Sequence, residues 1–238
     1  MVTEDEHYFV WRRDNRAEID RLDLQHYAIR GVQKANFLAP ILEPKYVLDV
    51  GSGTGQWGFE ISQQFPNALV VGLDLTPGKP GRTPGYREVQ GNLLRGLPFS
   101  DARFDYVHQR LVVAGVPLAA WPDVVADLAR VTRPGGWVEL GEVPWEFEDA
   151  GPATERIAEL TRQMMAAAGL DPRRTVFDSL GRYLEQAGLE QVSRRELSLP
   201  AGGWAGPPGS LMGQVGSLMA SDYRAAVTQV MARAEERR

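Results

Sequence analysis

Short apolar runs alternate with longer stretches of helical spacing along most of this chain. Strands are predicted near 46–50, 69–73, 86–89, 104–108 and 136–142. Helical spacing places helices near 56–65 and 122–132 between them. Strands and helices in this order build parallel βαβ units. The expected fold class is therefore α/β, a doubly wound and mostly parallel sheet.

The flanks have a different pattern. EIDRLDLQHYAIRGVQ (18–33) predicts a helix ahead of the first strand. After Glu142, helices are predicted at about 153–168 and 176–187, ending at Gly169 and Gly188, where glycine can terminate a helix. QVSRRELSLP (191–200) is predicted as a strand, 202–209 as loop, and the stretch from Met212 onward as helical. Residues 75–85 hold three prolines and three glycines and cannot be regular, and Pro134-Gly135-Gly136 predicts a turn into the fifth strand. The expected organisation is a helical cover (1–40) ahead of one main domain (41–238). That domain carries a helical insert at about 143–175 and C-terminal helices at about 205–238.

VLDVGSGTGQWG (47–58) carries the chemistry. A strand ends in Asp49-Val50, and Gly51-Ser52-Gly53-Thr54-Gly55 leads into a helix. Such glycines permit positive φ and let a ligand meet bare main chain. The helix N-terminus behind them offers unpaired N–H groups. Gly53 to Gly58 matches the dinucleotide pattern G-x-G-x-x-G, and Asp74 follows about 20 residues on, where a ribose-binding acid belongs. Counted from the first turn glycine, Gly51, the pattern fails at Gln56. Asp49 also disfavours a pyrophosphate, whereas it favours the ammonium and sulfonium of S-adenosylmethionine.

Three further segments agree: LVVGLD (69–74), Gly91-Asn92-Leu93-Leu94 before LPFSDARFDYVHQR (97–110), and RVTRPGGWVELGE (130–142). In this order they resemble the class I, Rossmann-like S-adenosylmethionine-dependent methyltransferases over about residues 45–142. EIDRLDLQHYAI, LAPIL, the WVELGE ending and LSLPAGGW (197–204) are similar to the LaeA-like branch. That branch includes fungal regulators of secondary metabolism and bacterial natural-product enzymes, and the bacterial side is the expectation here. Family members usually continue past the helix at 222–236 into a final antiparallel strand. No strand signal follows Tyr223, so either a tail is missing or the sheet is one strand short.

Asp49, Gly51, Ser52, Gly53, Thr54 and Gly55 are expected at the methionine end of the cofactor. Asp74 and Leu75 are expected at the ribose. The resemblance implies that Asn92 and Leu93 lie near the adenine, although Asn92 also suits a turn. Arg110 is expected to grip the cofactor carboxylate or the substrate, and His26 to contact the cofactor from the covering helix. His108 is the candidate general base, because imidazole titrates near neutrality; a hydrogen-bonded buried histidine is the plainer alternative. Glu142 is expected to bind an amine or take a proton. Tyr8, Trp11 and Trp145 are the candidate substrate contacts, and no metal site is expected.

The remaining composition narrows the partners. A net charge of −5 and isolated arginine pairs argue against a nucleic-acid surface. There are no cysteines, so disulfides and thiolate metal sites are excluded. The acidic N-terminus has no apolar core of a signal peptide, and no run is long enough to span a bilayer, so a cytoplasmic location is expected. A homo-oligomer is compatible with all of this. The expected activity is methyl transfer to a small molecule, a natural-product intermediate. The alternatives are a regulatory partner protein that keeps the fold and a cofactor-holding cyclase. A pull-down separates the former, product masses the latter.

Overall fold

The computed structural model describes residues 16–76 and 84–236. Its centre is a parallel sheet of β1 (Tyr46–Val50), β2 (Leu69–Asp74), β3 (Tyr86–Gln90), β4 (Phe104–Arg110) and β5 (Thr132–Gly141). The spatial order is β3-β2-β1-β4-β5, with every neighbouring pair parallel. The order reverses between β1 and β4, which opens a crevice at the carboxyl ends of those strands.

Alternation along each strand builds two cores. On one face Val47, Val70 and Tyr106 pack with Trp57 and Ile61 of α2 (Gln56–Gln64). On the other face Leu48, Val50, Leu73 and Val107 pack with Trp121, Val125 and Leu128 of α3 (Trp121–Val131), and with Val176 and Tyr183 of α5 (Thr175–Gln186). Both faces are therefore covered, as an all-parallel sheet requires.

α1 (Arg16–Gln33) and α6 (Leu211–Glu236) pack on each other, and α4 (Pro152–Ala167) also touches α6. A buried ion cluster joins the first pair. Arg21 bonds Glu18 at 2.7 and 2.8 Å and also bonds Asp222, which accepts from Gln25 at 3.1 Å. No helix among the described residues is long and apolar enough to cross a membrane.

Two expectations are corrected. Pro134-Gly135-Gly136 does not precede the fifth strand but lies inside it. The register jumps from Phe104 opposite Thr132 to Tyr106 opposite Trp137, so residues 133–136 bulge from a strand that pairs at both ends. The strand expected at 191–200 does not form, and the segment joins no ladder. Its alternating side chains suit a pleat, but no neighbouring strand supplies the pairing that a pleat needs.

Candidate functional site

The β1–α2 turn is held open by its backbone. Gly51, Gly53 and Gly55 have φ of 73°, 62° and 76°. Gly51 N–H donates to Leu73 O at 2.8 Å, tying the turn to β2. No side chain caps α2. A Cβ on Gly53 would meet nothing within 4 Å, so the main chain there faces open space. Gly51 to Thr54, Gln56 and Trp57 line a cleft of about 1600 Å³. Gly55 lies beneath the turn, where a Cβ would stand 2.7 Å from the Tyr86 hydroxyl.

Asp74 closes β2 at the wall of the same cleft. Its oxygens accept from Gly53 N–H and Thr76 N–H, both at 3.0 Å. Leu75, Gly91 and Leu93 continue this wall. Between them, Asn92 Oδ1 accepts from Leu94 N–H at 2.9 Å and caps the short helical turn 93–95.

Asp49 and His108 stand opposite each other on β1 and β4. Asp49 Oδ1 meets His108 Nδ1 at 2.8 Å. Trp57 stacks on the imidazole at 3.8 Å and 7°. Two places further on, Arg110 Nη2 donates to His26 Nδ1 at 3.0 Å. His26 Nε2 lies 3.2 Å from Glu60, which also pairs with Arg30 at 2.6 Å. Burial lowers the His26 pKa, and Arg110 lowers it further. Burial lowers that of Arg110 too, with Asp49 and Glu139 pulling the other way.

Glu142 is buried just beyond β5. Its two oxygens accept from Val112 N–H and Val113 N–H at 3.0 and 3.1 Å, so the side chain anchors the loop after β4. Burial raises its pKa to about 8 against the pull of those amides. Trp145 lines the cleft, 6.3 Å from the Tyr223 ring, and Phe147 lies 4.7 Å from that ring. Tyr8 and Trp11 lie outside the described residues.

Sequence reasoning missed several members of this site. Trp57 stands two residues after Gly55, yet its stacking on His108 needs the sheet register. Asp23 accepts from Thr54 Oγ1 at 2.5 Å. Glu139 accepts from Leu38 N–H and Ala39 N–H at 2.8 Å and from Tyr106 OH at 3.0 Å, pinning the segment after α1 to β5. The chain bore no local signal for either carboxylate.

This donor set fits S-adenosylmethionine better than a dinucleotide. Asp23, Asp49 and Asp74 surround the turn, an arrangement hostile to pyrophosphate and suited to a cation and ribose hydroxyls. The open Gly53 backbone leaves room for the ligand to approach.

A family model for the methyltransferase domain matches residues 21–194. Methyltransferase str2 of Strobilurus tenacellus is 34% identical over 192 residues, covering 76% of this chain and 66% of that protein. The secondary metabolism regulator laeA of Monascus pilosus is 28% identical over 200 residues, covering 79% of this chain and 53% of that protein. The chain thus spans at most about two thirds of the length of these relatives. Both are fungal, where the bacterial side of the branch had been expected. A Haemonchus contortus phospholethanolamine N-methyltransferase 2, solved with phosphomonomethylethanolamine and S-adenosylhomocysteine, has a similar fold. Its TM-score is 0.56 at 12% identity, covering 78% of this chain and 45% of that one.

Proposed function

The chain belongs to the methyltransferase-domain family, and from that premise we propose that it transfers a methyl group from S-adenosylmethionine to a small natural-product intermediate. One observation carries the reading: bare left-handed glycine backbone and the Asp74 carboxylate share one wall of a cleft wide enough for cofactor and acceptor together.

When bound, S-adenosylmethionine supplies an electrophilic methyl group. The chain's own groups bind and align. Asp74 takes the ribose hydroxyls. Leu75 and Leu93 flank the adenine, and Asn92 shapes their loop. The turn from Gly51 to Thr54 and the Arg110 guanidinium hold the methionine end, with His26 positioning Arg110. Asp49 keeps that end of the cleft favourable to positive charge. Trp145, Phe147 and Tyr223 offer an apolar wall to the acceptor. Alignment of the acceptor nucleophile with the bound methyl group would supply a large share of the rate. Glu142 acts on this site through the loop it anchors.

The test is transfer of label from methyl-labelled cofactor into a metabolite extract. Organic-soluble labelled products are expected, falling at least about tenfold with Asp74→Ala at limiting cofactor. Label confined to protein would contradict a small-molecule acceptor. It would favour the regulatory reading that the name of the laeA relative supports.

A further inference from the structure

Two buried histidines border the cleft, and their hydrogen bonds assign them opposite tautomers. Arg110 can only donate, so His26 Nδ1 must accept, and its remaining proton sits on Nε2, towards Glu60. The His26 lone pair is therefore consumed. His108 is reversed. An ionised Asp49 can only accept, so His108 Nδ1 must carry the proton of the 2.8 Å contact. In the neutral ring the lone pair is then on Nε2. That nitrogen has no partner among the described residues, and His108 lines the cleft.

The pair is rigid. Asp49 and His108 are 3% and 4% exposed. Trp57 covers the imidazole face and is itself fixed by a 2.7 Å bond from Nε1 to Asn36 O. The parallel register sets the two side chains next to each other on the α2 face. A ring flip would lose the bond to Asp49.

We propose that Asp49 is a positioning residue that fixes the Nδ1–H tautomer of His108, and that His108 Nε2 takes a proton from the methyl acceptor. The proposal rests on the methyl-transfer reading and deepens it by naming the acceptor class: a hydroxyl or ammonium compound, whose nucleophile must shed a proton. The acceptor O–H or N–H bond breaks, and its electron pair stays on oxygen or nitrogen. The proton passes to Nε2, Asp49 balances the imidazolium, and water removes the proton afterwards. A tertiary amine or thioether has no such proton and needs no such pair.

Nitrogen-15 NMR of the apoprotein at pH 8 tests this without any acceptor. The chain has three histidines, so spectra of His26→Asn and His108→Asn assign the signals. The Nδ1–H form is expected for His108 and the Nε2–H form for His26. Asp49→Asn, whose amide can donate to Nδ1, should drive His108 to the Nε2–H form. If that variant does not fold, the wild-type spectrum still decides. A wild-type His108 in the Nε2–H form, or doubly protonated at pH 8, would overturn the proposal.

Calorimetry with S-adenosylhomocysteine keeps the two readings apart. His108→Asn should bind it within about threefold of wild type while losing about 10²–10⁴-fold in transfer to the metabolite extract. Normal transfer by His108→Asn would end the proton-acceptor role and leave the methyl-transfer reading intact. Failure of the wild type to bind S-adenosylhomocysteine would end the methyl-transfer reading, whatever the tautomer.

Discussion

The two walls of the cleft are built by different physics. The wall formed by β1, α2 and β2 is set by backbone: three left-handed glycines, and a carboxylate that accepts from main-chain N–H groups. The wall formed by α1, α6 and residues 143–201 is set by side chains brought together from far apart. Arg21 and Asp222 are 201 positions apart, and Trp145 and Phe147 meet Tyr223. The first wall is specified locally and made to hold one kind of ligand. The second depends on tertiary packing, so changes there should act on stability before they act on cofactor binding.

The largest expected effect breaks the side-chain wall. Arg21→Met leaves Glu18 and Asp222 buried without their shared guanidinium. Breaking a buried pair from one side costs about 3–5 kcal/mol. Chemical denaturation should show that loss, while affinity for S-adenosylhomocysteine under native conditions changes little. A loss under about 1 kcal/mol would mean that the cluster does not hold α1 to α6.

A pair of glycine changes sharpens the backbone wall. Gly51→Ala forces an L-residue into a left-handed conformation, costing about 1–2 kcal/mol. Its Cβ would also stand 2.6 Å from Val112 Cγ1, and overpacking of that kind adds about 1–3 kcal/mol. Gly53→Ala incurs only the backbone part, because nothing lies within 4 Å. Gly51→Ala should therefore melt lower than Gly53→Ala. Equal melting temperatures would contradict the packing of Val112 beneath the turn.

Asp74→Ala should do the reverse of Arg21→Met. Each charge-assisted bond to a ribose hydroxyl contributes about 1.5–3 kcal/mol. Affinity for S-adenosylhomocysteine should fall at least about tenfold in calorimetry, with a smaller change in stability. Unchanged affinity would move the ribose site away from β2.

A pH-dependent effect concerns Glu142. Burial raises its pKa from 4.5 to about 8, so the folded protein holds this proton more tightly than the unfolded chain does. Its contribution to stability is fullest below pH 4.5 and is lost as the pH rises to about 8. Glu142→Gln should flatten the fall in denaturation midpoint between pH 5 and pH 8. An unaltered slope would mean that Glu142 keeps an ordinary pKa.

The contrast between the walls also explains what could be read from the sequence. β1 and β2 announced themselves by apolar runs, and the glycine turn by residues adjacent in the chain. QVSRRELSLP misled because alternation reports a face to bury, whereas a strand also needs a neighbour to pair with. The bulge at 133–136 was invisible because pairing resumes on both sides of a Pro-Gly-Gly that resembles a plain turn. The place of Asp74 at the end of β2 was legible from the apolar run before it. The pairing of Asp49 with His108 was not, since it depends on the register of β1 against β4. Glu142 looked like a proton handler because it ends a strand at the pocket mouth. Only the fold of the 111–116 loop shows both of its oxygens taken by backbone amides.

We propose that the glycine turn and Asp74 hold S-adenosylmethionine and not a dinucleotide. Calorimetric titration of the protein with S-adenosylhomocysteine and, separately, with NAD tests it most directly. One saturating site for S-adenosylhomocysteine is expected, weakened by Asp74→Ala, with no heat from NAD. Saturable NAD binding with no response to S-adenosylhomocysteine would contradict it.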